Sequence, residues 1–183
     1  MGIGPGTYRF SPDNGATLTV RTTKGGAAAR AGHNLEMEVT RWNATLELGD
    51  NPQASLTADS TSFKVVEGTG GVKPLDAEKK RAIPQTIDEE VLKGTPIEFK
   101  STRVDVDRGG NTVEVEGDLD LLGSRHPVAF KLNVGFNGKM AGSANVKQSD
   151  WGLTPYTALF GTLKVGDDVQ VEIRADTRSQ SNG

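Results

Sequence analysis

Period-two alternation dominates the chain. Val113, Val115, Gly117, Leu119 and Leu121 alternate with Thr112, Glu114, Glu116, Asp118 and Asp120. Val128, Phe130, Leu132 and Val134 alternate with Ala129, Lys131 and Asn133, and Val169, Val171, Ile173 and Ala175 with Gln170, Glu172, Arg174 and Asp176. Leu35, Met37 and Val39, then Trp42, Ala44, Leu46 and Leu48, repeat the pattern earlier in the chain. Side chains of a strand point to opposite faces in turn, so this alternation predicts half-buried antiparallel strands with one wet face. Further strands are predicted at about 6–11, 16–23, 54–66, 95–106 and 139–148. Ile97 and Phe99 are out of phase with Val104 and Val106, which predicts a bulge between them.

Turn residues separate these runs: Asp13-Asn14-Gly15, Lys24-Gly25-Gly26, Gly49-Asp50-Asn51-Pro52, Arg108-Gly109-Gly110-Asn111, Asn137-Gly138 and Gly166-Asp167. Asn-Gly between two patterned runs is a strong hairpin signal, because it supplies the positive φ that tight hairpin turns need. One stretch departs from period two. From Asp76 to Lys93, Ile83, Ile87, Val91 and Leu92 recur at helical spacing. Asp76 is the expected N-cap, Gly94 the stop, and Pro84 is expected to split the segment into two short helices. The last residues, about 179–183, are expected to be disordered. No repeat or linker divides the 183 residues. The expectation is one all-β domain, an extended antiparallel lipocalin-like β-barrel of about ten strands with one short helical excursion.

Composition changes this picture at one point. Aromatic residues make up only 5% of the chain. Small residues fall on the expected inward face: Ala16, Ala44, Ala54, Ala58, Gly117, Gly142, Ala144 and Ala175. Protein cores pack densely, and a void costs about 24 cal/mol per Å³. Too little inward bulk therefore predicts a lumen that holds a ligand. Strands of roughly ten residues at about 3.3 Å each suit a chain-like molecule. The competing reading is a filled barrel in which small residues balance large ones opposite.

Charge and chemistry exclude more than they assign. Net charge is −3, and neither a basic stripe nor a basic tail is visible along the chain. That argues against nucleic acid and against an anionic membrane surface as partners. There is no cysteine, so disulfides, thiol catalysis and cysteine zinc sites fall away. The N-terminus lacks a basic region followed by an apolar one. A cytoplasmic location is the expectation, or a periplasmic or extracellular one if a leader was removed. Nucleophile elbows, phosphate loops and dinucleotide fingerprints are absent, and the two histidines, His33 and His126, sit in no metal-ligand spacing. No catalytic residue, metal or cofactor is expected, although a barrel enzyme using His33 or His126 as base stays open. Arg30 and Arg125 each lie near a histidine and read as surface residues or as contacts to a phosphate.

Several segments together resemble the YceI-like family of lipocalin-fold, polyisoprenoid-binding proteins. They are Ala-Gly-His-Asn at 31–34 ahead of Glu38-Val39-Thr40-Arg41-Trp42, and Pro96-Ile97-Glu98-Phe99-Lys100-Ser101 after the helical stretch. Gly117-Asp118-Leu119 with Gly123, His126-Pro127-Val128, and Ser149-Asp150-Trp151-Gly152 with Val169 onward complete the pattern. The resemblance runs from about Gly6 to Thr177. It implies an extended barrel that binds an isoprenoid chain, such as a polyprenyl phosphate or an isoprenoid quinone, without catalysing a reaction. It also admits a homodimer, although no exposed apolar stripe demands one. The stretch from Trp151 to Tyr156 departs from the family's usual Asp-Phe-Gly form, which implies different contacts near the barrel mouth. The residues expected to contact the ligand are His33, Trp42, Phe63, Phe130, Leu132, Ala144, Trp151, Tyr156 and Phe160, with core packing as the competing reading for the aromatics. A fatty acid or fatty amide is the alternative cargo.

Overall fold

Alternation becomes a curled antiparallel sheet in the computed structural model, which describes residues 2–158 and 163–179. Its strands are β1 (Gly6–Phe10), β2 (Thr17–Thr22), β4 (Asn34–Val39), β5 (Trp42–Leu48), β6 (Gln53–Ala58) and β7 (Phe63–Thr69), with the short β3 (Lys24–Gly25) after β2. Helix α1 (Ala77–Thr86) follows, then β8 (Ile97–Val106), β9 (Thr112–Leu121), β10 (Ser124–Val134) and β11 (Lys139–Lys147). Two short strands, β12 (Thr157–Ala158) and β13 (Leu163–Val165), precede β14 (Asp168–Asp176). The eleven longer strands pair in the order β1-β5-β6-β8-β9-β10-β11-β14-β2-β4-β7.

That order closes on itself through the chain rather than through one more ladder. β4 runs into β5 across Thr40-Arg41, and β6 into β7 across 59–62, so the two make one long bent hairpin from Asn34↔Thr69 to Glu47↔Gln53. β1 and β2 are likewise two halves of one run, pairing with β5 and β4 respectively. Eight long runs result, a strand number that leaves an interior wide enough for side chains or one small ligand. The single strand expected over 54–66 is thus broken at a bend. Backbone and side-chain bonds fix that bend: the Thr40 and Asp59 amides donate to the Ser62 and Arg41 carbonyls, and the Arg41 guanidinium meets Asp59 at 2.9 Å.

Turn signals are met unequally. Gly49–Pro52, 108–111 and Asn137-Gly138 each close a hairpin of adjacent strands. Asp13-Asn14-Gly15 does not. It forms a 3-10 turn ending on left-handed Gly15, which offsets β1 from β2 without reversing the chain. Lys24-Gly25 is itself a strand, β3, of a small second sheet, β12-β13-β3, that no alternation announced, and Gly166-Asp167 follows β13. The bulge expected in β8 falls between Ser101 and Arg103.

The helical stretch begins where expected, with the Asp76 carboxylate accepting from the Lys79 amide at 2.9 Å. Its break does not fall at Pro84. α1 runs through the proline to Thr86 and passes into a π-helical turn, Ile87–Leu92, which ends on left-handed Lys93 before Gly94. Pro84 sits near the end of α1, where one missing donor costs little continuity. The slack is taken up in the wider turn that follows.

The two ends of the barrel differ. Where β1, β5, β8, β9 and β10 meet, Ile3, Leu48, Val104, Val113 and Val134 are buried together, Val113 completely. The Ile3 amide donates to the Gly110 carbonyl at 2.8 Å, so the N-terminal segment is tied to the 107–111 turn at that end. At the other end α1 packs against β7.

Candidate functional site

β10 shows in one strand how the interior changes along the axis. Val128 and Phe130 keep part of their surface accessible, whereas Leu132 and Val134, farther down the same inward face, are buried. Val20, Leu56, Phe63 and Val171 on the other walls are also only partly buried, although they belong to the core cluster. Apolar side chains that face inward and still have free surface border a space. That space is a cavity of about 740 Å³, with walls from most of the long strands and a top from α1 and the π-helical turn. Its size is within the range of small-molecule sites.

The lining is apolar for most of its depth. Phe99 and Phe130 approach at 5.5 Å between ring centroids and form a tilted pair in the wall. Ala44, Ala54, Ala58, Gly142 and Ala144 line the cavity, so these small residues do leave room. Ala16, Gly117 and Ala175 do not. Ala16 and Ala175 are buried among the closed-end side chains, and a Cβ at Gly117 would land against the Lys100 carbonyl oxygen and the Phe99 ring. Close approach of a neighbouring strand explains that glycine.

The polar lining groups include His33, Thr22, Lys79, Thr86, Gln148 and Tyr156 toward the helix end, with Thr45, Ser55 and Ser143 on the strands. Lys79 is the one lining residue with a formally charged side chain among the described residues, and its ammonium lies 3.4 Å from Asp76. His33 Nε2 lies 2.8 Å from the Lys73 carbonyl, which ties β4's start to the loop before α1. No carboxylate borders the lumen among the described residues. The carboxylates with depressed pKa values, such as Asp107 (held by the Thr112 amide) and Asp167 (held by the Ser149 hydroxyl), belong to turns instead. The cavity can thus solvate a long apolar molecule, and it offers a polar group or two at one end.

Of the residues expected to touch a ligand, His33, Phe63, Phe130, Leu132, Ala144 and Tyr156 border the cavity. Two do not. Trp42 is 5% exposed and packs in the core at the β4–β5 bend, away from the lumen. Trp151 follows β11 in a 3-10 turn, donates Nε1–H to the Leu119 carbonyl at 2.8 Å, and stands edge-on to His126. A strand bend interrupts the alternation that put Trp42 on the inward face, and Trp151 stands in the turn after β11, beyond any alternating run. Phe160 lies outside the described residues. His126 faces Ser124 Oγ and Trp151 rather than the lumen, Arg125 lies 3.6 Å from Asp120, and Arg30 is exposed. The reading of the sequence left the top of the cavity out of the site: Leu75, Ile83, Ile87, Val91 and Leu92 line it. The apolar stripe at helical spacing was the available signal, since nothing else in a barrel needs a greasy helix face.

Residues 15–177 match the YceI-like domain. Among solved structures, BcnA of Burkholderia cenocepacia superposes with a TM-score of 0.61 at 16% identity, covering 87% of this chain and 94% of that one. A YCEI protein of Campylobacter jejuni gives a TM-score of 0.54 at 13% identity, covering 76% of this chain and 82% of its own. At such identities the likeness is one of fold. No curated protein matches the chain by sequence.

Proposed function

The chain belongs to the YceI-like domain family, and from that premise we propose that it carries a long isoprenoid, a polyprenyl phosphate or an isoprenoid quinone, in its lumen without transforming it. One observation carries the reading: the largely apolar cavity of about 740 Å³ along the barrel, which no carboxylate borders among the described residues. Each methylene moved from water into such a lining contributes roughly 0.8 kcal/mol. Several isoprene units therefore suffice for firm binding with little polar help. A phosphate or quinone head would sit toward His33, Lys79 and Tyr156, where the polar lining gathers. Among the described residues no carboxylate borders the lumen to pair with His33 in proton transfer, which supports carriage over catalysis.

The test is native mass spectrometry of the protein purified from its own host, followed by analysis of a solvent extract. A bound mass that resolves into a prenyl lipid is the expected result. A chain that emerges empty and also fails to take up added prenyl lipids overturns the proposal, and uptake of fatty acids in preference to prenyl chains replaces the cargo class.

A further inference from the structure

Beside the helix, the loops at the open end form a local cluster of cations. Three stretches at the open end, residues 22–35, 68–75 and 163–166, carry Lys24, Arg30, Lys73 and Lys164 and no aspartate or glutamate, in a chain of net charge −3; Asp167 follows the last of them, and Asp88, Glu89 and Glu90 stand apart in the π-helical turn over the cavity. The closed-end connections, 49–52, 107–111 and 135–138, carry Asp50 and Asp107 against Arg108 alone.

Tertiary structure gathers cations that the chain keeps far apart. The β13–β3 pairing sets Lys164 opposite Gly25, next to Lys24. Lys24 Nζ donates to the Gly32 carbonyl at 3.0 Å and lies beside Gly70, in the loop that also holds Lys73. Arg30, Lys73 and Lys164 are exposed, and among the described residues no carboxylate is within ion-pairing distance of any of them. The acids nearest in sequence are otherwise placed. Asp76 caps α1 and faces Lys79, Glu78 follows in the first turn of α1, the Asp167 carboxylate accepts from the Ser149 amide and hydroxyl, and Glu67 and Asp168 belong to the strands β7 and β14. Two large apolar side chains share this rim: Val72, 79% exposed, and Tyr156, 40% exposed at the cavity's edge.

Exposed apolar residues among unpaired cations, arranged around the opening of a greasy lumen, complement an anionic bilayer. The cations meet headgroups, and the apolar groups enter the interface. We propose that the open end docks on anionic phospholipid membranes, so that cargo moves between bilayer and lumen without crossing water. Long isoprenoids need such a route, because every methylene lowers aqueous solubility several-fold. The linear charge pattern pointed the other way, since the cations are spread from Lys24 to Lys164 and become neighbours only on folding.

The purpose of docking rests on the carrier reading, but its test does not. The full chain is sedimented with vesicles of phosphatidylcholine alone and of phosphatidylcholine with phosphatidylglycerol. The expected result is partition onto the anionic vesicles alone, reversed by salt. Lys73→Gln and Lys164→Gln should each lower it about five-fold, the effect of one surface cation. Val72→Ser should lower it too, whereas Phe136→Ser, which alters an 87%-exposed residue at the closed end, should not. Equal partition onto both vesicle types, no partition at all, or equal losses from Val72→Ser and Phe136→Ser overturns docking. Uptake of a fluorescent prenyl probe, measured on the same samples, separates the two proposals: uptake without partition sinks docking alone, and partition without uptake sinks the carrier reading alone.

Discussion

Ala144 lies on β11 opposite Val171 of β14, and both border the lumen. A larger side chain there would grow into free space rather than into a neighbour. Ala144→Phe should therefore leave the denaturation midpoint unchanged or raised. Excluding two or three methylenes of ligand, at about 0.8 kcal/mol each, should weaken prenyl-probe binding tenfold or more. In a filled barrel the same change would overpack the core and cost about 1–3 kcal/mol, so paired unfolding and binding curves decide between the two. Gly117 makes the opposite case. Its absent side chain is what allows β8 to pass, with Phe99 Cζ 2.5 Å from where a Cβ would stand. Gly117→Ala should destabilise by about 1–3 kcal/mol, seen as a lower urea midpoint at unchanged slope. Two small residues with the same inward phase thus have different reasons, and only contact distances separate them.

At the scale of elements, the helix over the cavity is the least anchored part of the wall. α1 has no buried residue, and in the π-helical turn after it Leu92 alone is buried. β9 and β10, by contrast, pair along ten residues from Leu121↔Ser124 to Thr112↔Asn133. Local opening is easiest where few apolar groups are buried. Amides of 77–91 should therefore exchange with deuterium well before those of 113–121, and bound ligand should slow the helix amides most. Equal exchange in the two segments would contradict this. The element-level errors of sequence reading share one cause. Period two reports which face is buried but not whether a run bends, so β6 and β7 read as one strand. Asp13-Asn14-Gly15 read as a hairpin because a left-handed glycine serves a bulging turn as well as a reversal.

For the whole molecule, the resolved carboxylate shifts point the same way. The Arg178 guanidinium holds Asp176 well below the usual carboxylate range. Asp59 is lowered by the Thr61 hydroxyl, and Glu172 by Arg174. A value depressed on folding gives stability that is present above the unfolded value and lost as pH falls through the folded one. The urea midpoint should therefore begin to fall as pH reaches the ordinary aspartate range, about 3.9, and keep falling below it. A midpoint that rises on acidification through that range would refute the assignment. These groups sit at turns and outer faces, so cargo binding should not move the acid limb of the profile directly.

What the sequence determined by itself is the wall: the alternation, the helical stripe capped at Asp76 and the shortage of inward bulk follow from local geometry and side-chain volume. These made the fold class and most of the lumen lining legible, from Phe63 and Phe130 to Ala144. Only the tertiary structure decided which indoles leave the lumen, how bent runs return to their starting point, and which scattered lysines share a rim. Those depend on strand bends and on loops that meet across long stretches of chain, and periodicity carries no information about either.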